Sequence, residues 1–241
     1  MAAVLWVSLI EFVVPKLSAA VYTLKHYENI LFVFPPTKLA IKNSIILAVI
    51  GATVGMILTG GISWILHRTR APGRRLLEYL SMFPIAIPSV VFAVALLWTW
   101  INVPLVYGTI WLLLVCYVTV YLPYGIKSTS ATLMQIDKSL EECAYVCGGS
   151  WFHTLRTITL PLLKPGVIAG WTLMFIVFSR ELASSLFLCT SKSVVISVAI
   201  FDLYYQGLWN KLGALSILQV VIVFGMLALA RKVGGESVKL S

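Results

Sequence analysis

The polar stretch from residue 127 to residue 165 has the most specific residue spacing in the chain. Ser139 and Glu142 form an S-x-x-E capping box, which predicts the start of a helix. Gly148 predicts the end of that helix, because glycine adopts the left-handed conformation of a helix terminus at least cost. Ala144 is small enough for the groove of another protein to close on it. Such a segment suits a mechanical joint that passes rigid motion between two bodies.

A second short helix is predicted directly after Gly148. Leu160 and Pro161 are expected to be extended, because the residue before a proline avoids the helical region, and Pro165 is expected to open the next long helix. Ser150 can cap the short helix, and its apolar side comprises Trp151, Phe152, Leu155 and Ile158. The element would be two short helices at an angle, hinged on Gly148. The alternative is an ordinary amphipathic loop, which needs no fixed residue types here.

Arg180, Glu181 and Ser184 lie within a long apolar segment, residues 166–189. Charged side chains at membrane depth are costly and usually have a function. Adjacent residues on a helix do not face each other, so we expect Arg180 and Glu181 to pair with groups on other helices or to face a water-filled cavity. Two interpretations remain open, namely contact with a translocated solute and structural ion pairing.

Other candidate chemistry is weak. Cys143 and Cys147 would share a helix face near His153, but no further ligand follows, and reduced packing thiols fit better than a metal site. The chain contains no Gly-x-Ser-x-Gly or His-Glu-x-x-His motif, and its three histidines map to loops or span ends. We therefore expect no catalytic residue, no metal and no cofactor bound by this chain. An intramembrane enzyme, whose nucleophile and base would converge at membrane depth, is the remote alternative.

The composition predicts an all-α membrane protein. Of the 241 residues, 60% are hydrophobic and only 11% are charged, whereas a soluble domain has about a quarter of its residues charged. Long apolar runs without alternation favour membrane-spanning helices over the strands of a barrel. The net charge of +9 does not indicate nucleic-acid binding, because no basic stripe with interleaved aromatic residues is present. Lipid is the expected solvent.

Six spanning helices are predicted, with the whole chain, 1–241, as one transmembrane domain. Lys and Arg collect in cytoplasmic loops, and most of the 18 such residues fall in the segments 67–78, 127–165 and 231–241. This asymmetry predicts a cytoplasmic C-terminus in a multi-pass protein of the bacterial inner membrane. The predicted spans are about 1–14, 43–66, 79–101, 107–126, 166–189 and 212–230.

Three further features concern helix shape and surfaces. Gly51 and Gly55 form a G-x-x-x-G pair, which either allows close helix packing or reflects the frequency of glycine in membrane helices. Pro84 and Pro88 predict a kinked or unwound third span. The outer loop 190–211 has aromatic residues at helical spacing, which predicts a short interfacial helix that either anchors in the membrane or docks an extracytoplasmic partner.

Six residues of the 127–165 loop match a known signature, E-A-A-x3-G-x9-I-x-L-P. Cys143, where the signature has alanine, departs from it. The matching residues are Glu142, Ala144, Gly148, Ile158, Leu160 and Pro161. The loop thus resembles the Glu-Ala-Ala loop in the permease subunits of binding-protein-dependent ATP-binding-cassette importers of type I.

This resemblance implies a six-helix permease fold whose cytoplasmic loop docks into a cleft of an ATPase subunit. Glu142 would orient the loop against polar groups of that cleft, and Gly148 would set its bend. The chain has no G-x-x-x-x-G-K-[ST] motif, so the ATP-hydrolysing ATPase is expected on a separate polypeptide. The other implied partners are a second permease half, identical or homologous, and an extracytoplasmic solute-binding protein.

A narrower resemblance concerns the transported solute. The stretch Arg180-Glu181-Leu182-Ala183-Ser184-Ser185 and the stretch 121–124, Tyr-Leu-Pro-Tyr, are similar to permeases of the ferric-iron importer group. Relatives that move spermidine or putrescine, thiamine, phosphonate or molybdate share much of this pattern. The resemblance therefore implies ferric iron as the solute, with those solutes as alternatives. A permease that has lost its partner half and its coupling is a further possibility.

Overall fold

The computed structural model describes residues 1–12, 21–33 and 35–234, and most of these residues are helical. The only strand-like pairing among them is an isolated bridge between Ile10 and Tyr22. The helices are α1 (Ala2–Leu9), α2 (Lys25–Glu28), α3 (Pro35–Arg68), α4 (Arg74–Met82), α5 (Ser89–Trp100), α6 (Ile110–Gln135), α7 (Lys138–Val146), α8 (Trp151–Thr154), α9 (Leu160–Arg180), α10 (Ser185–Leu188), α11 (Ile196–Tyr205) and α12 (Trp209–Gly234).

The described residues contain four helical runs long and apolar enough to cross a membrane, or five if a bent pair counts as one span. The four are Pro36–Arg68, Ile110–Gln135, Trp151–Arg180 and Trp209–Ala230. The predicted first span, 1–14, is not among them. Its helix α1 has 8 residues, so it is about 12 Å long, which is less than half of the hydrocarbon core. Residues 13 and 14 lie outside the described residues.

The predicted third span, 79–101, is two helices rather than one. Helix α4 continues into a short 3₁₀ turn, Phe83–Ala86, and the combined run Arg74–Ala86 is bent by 104° relative to α5. Pro84 is buried within that turn, and Pro88 directly precedes α5. Both prolines lack the N–H that would continue the helical ladder, which explains the predicted break in this segment.

The fifth predicted span, 166–189, begins earlier and ends earlier than expected. The chain is helical without interruption from Trp151 to Arg180, so Leu160 and Pro161 are helical and not extended. A π-type turn, Leu155–Thr159, precedes them, and the Leu160 N–H donates to the Leu155 carbonyl. This wider register accommodates the proline at the following position, which has no N–H to donate. The helix then ends at Arg180 because Glu181 is extended.

Helices α3, α6 and α9 pack against one another to form the centre of the bundle. Gly51 and Gly55 of α3 both face α9, where an added Cβ would meet the side chains of Phe178 and Met174. The G-x-x-x-G pair therefore lies in a close helix contact, as small residues do in membrane bundles. A second close approach joins α9 to α6, where the Ser128 hydroxyl donates to the Gly166 carbonyl at 2.8 Å.

Replacement of Gly166 by alanine is expected to destabilise the bundle by about 1–3 kcal/mol, the usual cost of overpacking. An added Cβ would lie 2.7 Å from the Cβ of Thr132, an atom that cannot rotate away. Gly60→Ala is the matched control, because no atom lies within 4 Å of a Cβ added there. It should be neutral or stabilising by up to about 1 kcal/mol. Thermal unfolding in detergent measures both variants, and equal midpoints would contradict the proposed contact.

Candidate functional site

The segment after α6 forms an elbow of two helices. Its first arm is α7, its second arm is α8, and residues 147–150 form the turn between them. Asp137 caps α7 by accepting a hydrogen bond from the Ser139 N–H at 2.9 Å. The predicted capping box starting at Ser139 is therefore wrong by two residues. The extended conformation of Asp137 places its short carboxylate over the first free N–H groups, so Ser139 already lies inside the helix.

The bend of the elbow is a Schellman turn, in which backbone groups close the end of α7. Gly148 has φ +83°, the left-handed conformation predicted for it. The Gly149 N–H donates to the Ala144 carbonyl at 2.9 Å, and the Gly148 N–H donates to the Tyr145 carbonyl at 3.0 Å. Ser150 then caps α8 as predicted, accepting from the His153 N–H at 3.3 Å. The two short helices thus meet at Gly148.

The six signature residues lie on the accessible side of this elbow and of the helix that follows. Glu142, Gly148, Leu160 and Pro161 are exposed, and Ala144 and Ile158 are half-buried. A cleft of about 470 Å³ runs between the two arms, and Ala144, Gly148 and Ile158 contribute to its lining. The elbow thus presents exposed helices with a cleft between them at one end of the bundle, and the carboxylate of Glu142 lies beside the cleft. Such a surface can hold a segment of another protein.

Glu141, which the sequence places with Glu142 in the first turn of this helix, is the buried carboxylate of α7. Its Oε1 accepts from Arg68 Nε at 3.0 Å and from Thr159 Oγ1 at 3.2 Å, whereas the neighbouring Glu142 is exposed. Both glutamates occur in one predicted first turn, and Arg68 is one of several arginines in a basic loop. No sequence signal distinguishes these partners, because the contact joins residues 73 positions apart.

The cap of α7 gives a pH-dependent prediction. Hydrogen bonds from Ser139 hold the pKa of Asp137 below its ordinary value. Its stabilising contribution is therefore present above the unfolded-state pKa and is lost as the pH falls through the lower, folded-state pKa. Amide exchange at Ser139, corrected for intrinsic rates, should show protection at neutral pH that declines only in strong acid. Asp137→Asn keeps a good cap without a titratable group, so protection that declines equally in this variant would contradict the prediction.

The second candidate site is the break between helices α9 and α10, which begins at Glu181. Its carboxylate accepts from the Ser184 N–H and from Ser184 Oγ, each at 3.0 Å, and from the hydroxyl of Tyr121 on α6. Glu181 and Ser184 are both buried. The carboxylate therefore closes the turn between α9 and α10 and joins it to α6.

The Glu181 carbonyl, freed by the end of α9, is also satisfied by hydroxyl groups. It accepts from Ser197 Oγ at 2.7 Å, from Ser185 Oγ at 2.9 Å and from the Tyr117 hydroxyl at 3.2 Å. A backbone group left unpaired at membrane depth would cost several kcal/mol, roughly. These hydroxyls explain how a helix can stop inside the apolar part of the bundle. None of Tyr117, Ser185 and Ser197 was predicted to take part.

Arg180 is separated from this network. Its side chain is exposed, and its guanidinium makes no ion pair or hydrogen bond with the part of the chain that the structure describes. Of the three predicted pathway residues, Glu181 and Ser184 are brought together and Arg180 points elsewhere. Pairing between Arg180 and Glu181 is therefore not what stabilises either charge.

The chain has clear relatives among transport proteins. It is similar to the spermidine/putrescine transport system permease protein PotC of Haemophilus influenzae, with 29% identity over 189 residues that cover 78% of this chain and 73% of the relative. It is also similar to the Fe(3+)-transport system permease protein FbpB 2 of that organism, with 27% identity over 164 residues. That match covers 68% of this chain and 32% of the relative, so the chain spans about a third of its length.

Two solved structures have the same fold. One is a bacterial ABC transporter involved in the import of the acidic polysaccharide alginate, with a TM-score of 0.79 and 16% identity, covering 99% of this chain and 89% of that chain. The other is the MetNI methionine ABC transporter, with a TM-score of 0.68 and 15% identity, covering 81% and 93%. At these identities the likeness establishes the all-α permease fold alone.

A match to a protein-family profile assigns the chain to a family as well as to a fold. The profile is described as "Binding-protein-dependent transport system inner membrane component" and matches residues 51–231, which is well over half of the chain and includes the elbow and the break at Glu181. The chain therefore belongs to this family of multi-pass membrane permeases, transport subunits that are not enzymes.

Proposed function

We propose that this chain is one half of the substrate pathway of an ATP-binding-cassette importer and that its elbow docks onto a separate ATPase. The observation that carries this proposal is the elbow itself, an exposed two-helix surface bent at a left-handed Gly148 and displaying Glu142. ATP is used by the partner ATPase, and this chain binds no cofactor. The elbow end of the bundle, together with loop 67–78 and the C-terminus, faces the cytoplasm, consistent with the enrichment of Lys and Arg there.

The pathway requires a second permease half, either a copy of this chain or a homologue. Arg180 supports this part of the proposal, because an exposed guanidinium at the end of a helix in the apolar bundle needs water, a solute or another protein beside it. Arg180, Glu181 and Ser184 would line or support the pathway between the halves. Alternating access would then move the two halves around a site near the middle of the membrane.

An extracytoplasmic solute-binding protein is proposed to dock at the opposite end. Helix α11 and the start of α12 support this, because they expose Tyr204, Tyr205 and Trp209, and the rings of Tyr204 and Trp209 lie 5.3 Å apart in an edge-on arrangement. Aromatic residues are enriched both in protein interfaces and at the membrane surface. Anchoring at the membrane surface and docking of a binding protein can therefore both use these aromatic residues.

The proposed solute is ferric iron, delivered by the binding protein and moved without chemical change. The Arg180–Ser185 stretch and the ferric-transport relative support this choice. Polyamine is the second candidate, because the PotC relative matches a larger share of this chain. Thiamine, phosphonate and molybdate transport remain alternatives on the same machinery.

Reconstitution tests the function and the solute together. Proteoliposomes containing the chain, its partner half, its ATPase and its binding protein should accumulate radiolabelled ferric iron only when ATP and the binding protein are present. Labelled spermidine in a parallel assay should give uptake at background level. Uptake of spermidine without iron would reject the iron assignment and leave the importer function intact. ATP-independent movement of both solutes would reject the importer function.

A further inference from the structure

Glu141 is the one buried residue of α7, since the other residues of this helix are exposed or half-buried. Its side chain is 10% exposed, and that of its partner Arg68 is 5% exposed. The other ion pair in the described residues, Lys25–Glu11, is 70% and 35% exposed and lies near the start of the chain. Helix α7 therefore buries one side chain against the bundle, and that side chain is the carboxylate of an enclosed ion pair.

Arg68 connects this carboxylate to two spanning helices at once. It is the last residue of α3, and its Nη2 donates to the carbonyls of Ile136 at 2.7 Å and of Leu133 at 3.2 Å, at the end of α6. Thr159, on the far side of Glu141, lies one residue before α9. One guanidinium and one carboxylate thus join α7 to the ends of α3, α6 and α9, the three helices at the centre of the bundle.

A buried ion pair is a poor choice for stability alone, because apolar residues of the same volume stabilise as well or better. The advantage of this ion pair is its defined geometry, because the planar guanidinium fixes the orientation of each group to which it donates a hydrogen bond. The second arm has its own contact with α3, in which the rings of Trp64 and Trp151 lie 6.3 Å apart, but Trp151 is 54% exposed. The charged contact at Glu141 is the better enclosed of the two.

We propose that Arg68 and Glu141 form the joint through which movement of the elbow reaches the spanning helices. The proposal rests on the proposed function, in which an ATPase moves the elbow. Arg68 and Glu141 are positioning residues in this role, because they face the bundle rather than the docking surface. The two neighbouring glutamates accordingly have different roles. The exposed Glu142 contacts the ATPase, and the buried Glu141 transmits the movement of the elbow to the spanning helices.

The test uses the complete complex in proteoliposomes and compares Glu141→Gln and Arg68→Lys with Glu142→Gln and Glu11→Gln. Glu141→Gln keeps the size of the side chain and loses its charge, and Arg68→Lys keeps the charge and loses the planar fork. Both should retain the ATPase at wild-type stoichiometry and hydrolyse ATP, while solute imported per ATP falls at least tenfold. Glu142→Gln should instead lose ATPase during purification, and Glu11→Gln, in the exposed pair, should behave as wild type.

A cross-linking rescue separates a joint from a merely structural contact. In a protein with Cys143 and Cys147 changed to serine, the double variant Arg68→Cys/Glu141→Cys should be uncoupled when reduced. A short bifunctional thiol reagent across the two cysteines should restore import per ATP. Failure of the rescue, or wild-type import per ATP in the two single variants, would overturn the joint. Loss of ATPase from Glu141→Gln would also overturn it, since the residue would then belong to the docking surface. Absence of import by the wild-type complex would instead reject the proposed function.

Discussion

Replacement of Gly148 by valine is expected to abolish solute uptake while the protein still inserts into the membrane. Gly148 has φ +83°, and a residue with a Cβ costs about 1–2 kcal/mol in this conformation, with branched side chains costing more. No atom lies within 4 Å of a Cβ added there, so the effect comes from the backbone and not from a clash. The Schellman turn should open, which changes the angle between the arms of the elbow.

Gly73→Val is the matched control for this variant. Gly73 has φ +84° and also has no atom within 4 Å of an added Cβ, so this substitution too places a valine at positive φ without a clash. It lies before α4, outside the elbow. Uptake by proteoliposomes and the amount of ATPase that co-purifies should both fall to background in Gly148→Val, and the ATPase should be retained in Gly73→Val. Normal uptake by Gly148→Val would remove the coupling role of the elbow, and equal losses in both variants would indicate general strain.

Replacement of Glu181 by alanine is expected to lower the free energy of unfolding by about 3 kcal/mol. The substitution leaves the Tyr121 hydroxyl and the Ser184 N–H and hydroxyl without their acceptor. Each buried donor left unsatisfied costs about 1–3 kcal/mol, and the low dielectric of the bundle does not reduce that cost. Glu181→Gln keeps one acceptor oxygen and should lose less stability. Unfolding in detergent, followed by circular dichroism, measures these differences.

Arg180→Ala, one position earlier, should show the opposite pattern. Its side chain is exposed and makes no hydrogen bond or ion pair within the described residues, so the unfolding free energy should not change. Uptake should fall roughly tenfold, the effect of losing about one charge-assisted hydrogen bond to an acceptor on the partner half. The ratio of the two halves after purification must be measured alongside. If the complex dissociates in Arg180→Ala, this residue acts in assembly. For the Glu181→Ala variant, an unchanged free energy of unfolding would contradict the role of the carboxylate network.

The local features of the elbow could be predicted from the sequence because they depend on neighbouring residues. Gly148 ends α7 and Ser150 caps α8 through hydrogen bonds that span at most five positions. The prediction was wrong where two local signals competed. Asp137 and Ser139 are both good caps, and the backbone conformation of Asp137 decided between them. The sequence rule for Leu160 and Pro161 also failed, because the preceding π-type turn keeps these residues helical.

The apolar, all-α bundle and the bend at Gly148 follow from the sequence, because hydropathy and turn chemistry act over short stretches of chain. The burial of Glu141 rather than Glu142, its pairing with Arg68, and the hydrogen bond from Tyr121 to Glu181 follow from the packing of distant segments. These contacts join residues 60 to 73 positions apart. A charge finds such a partner only when the packing of α3, α6 and α9 brings the two side chains together, and residue type alone does not encode that distance.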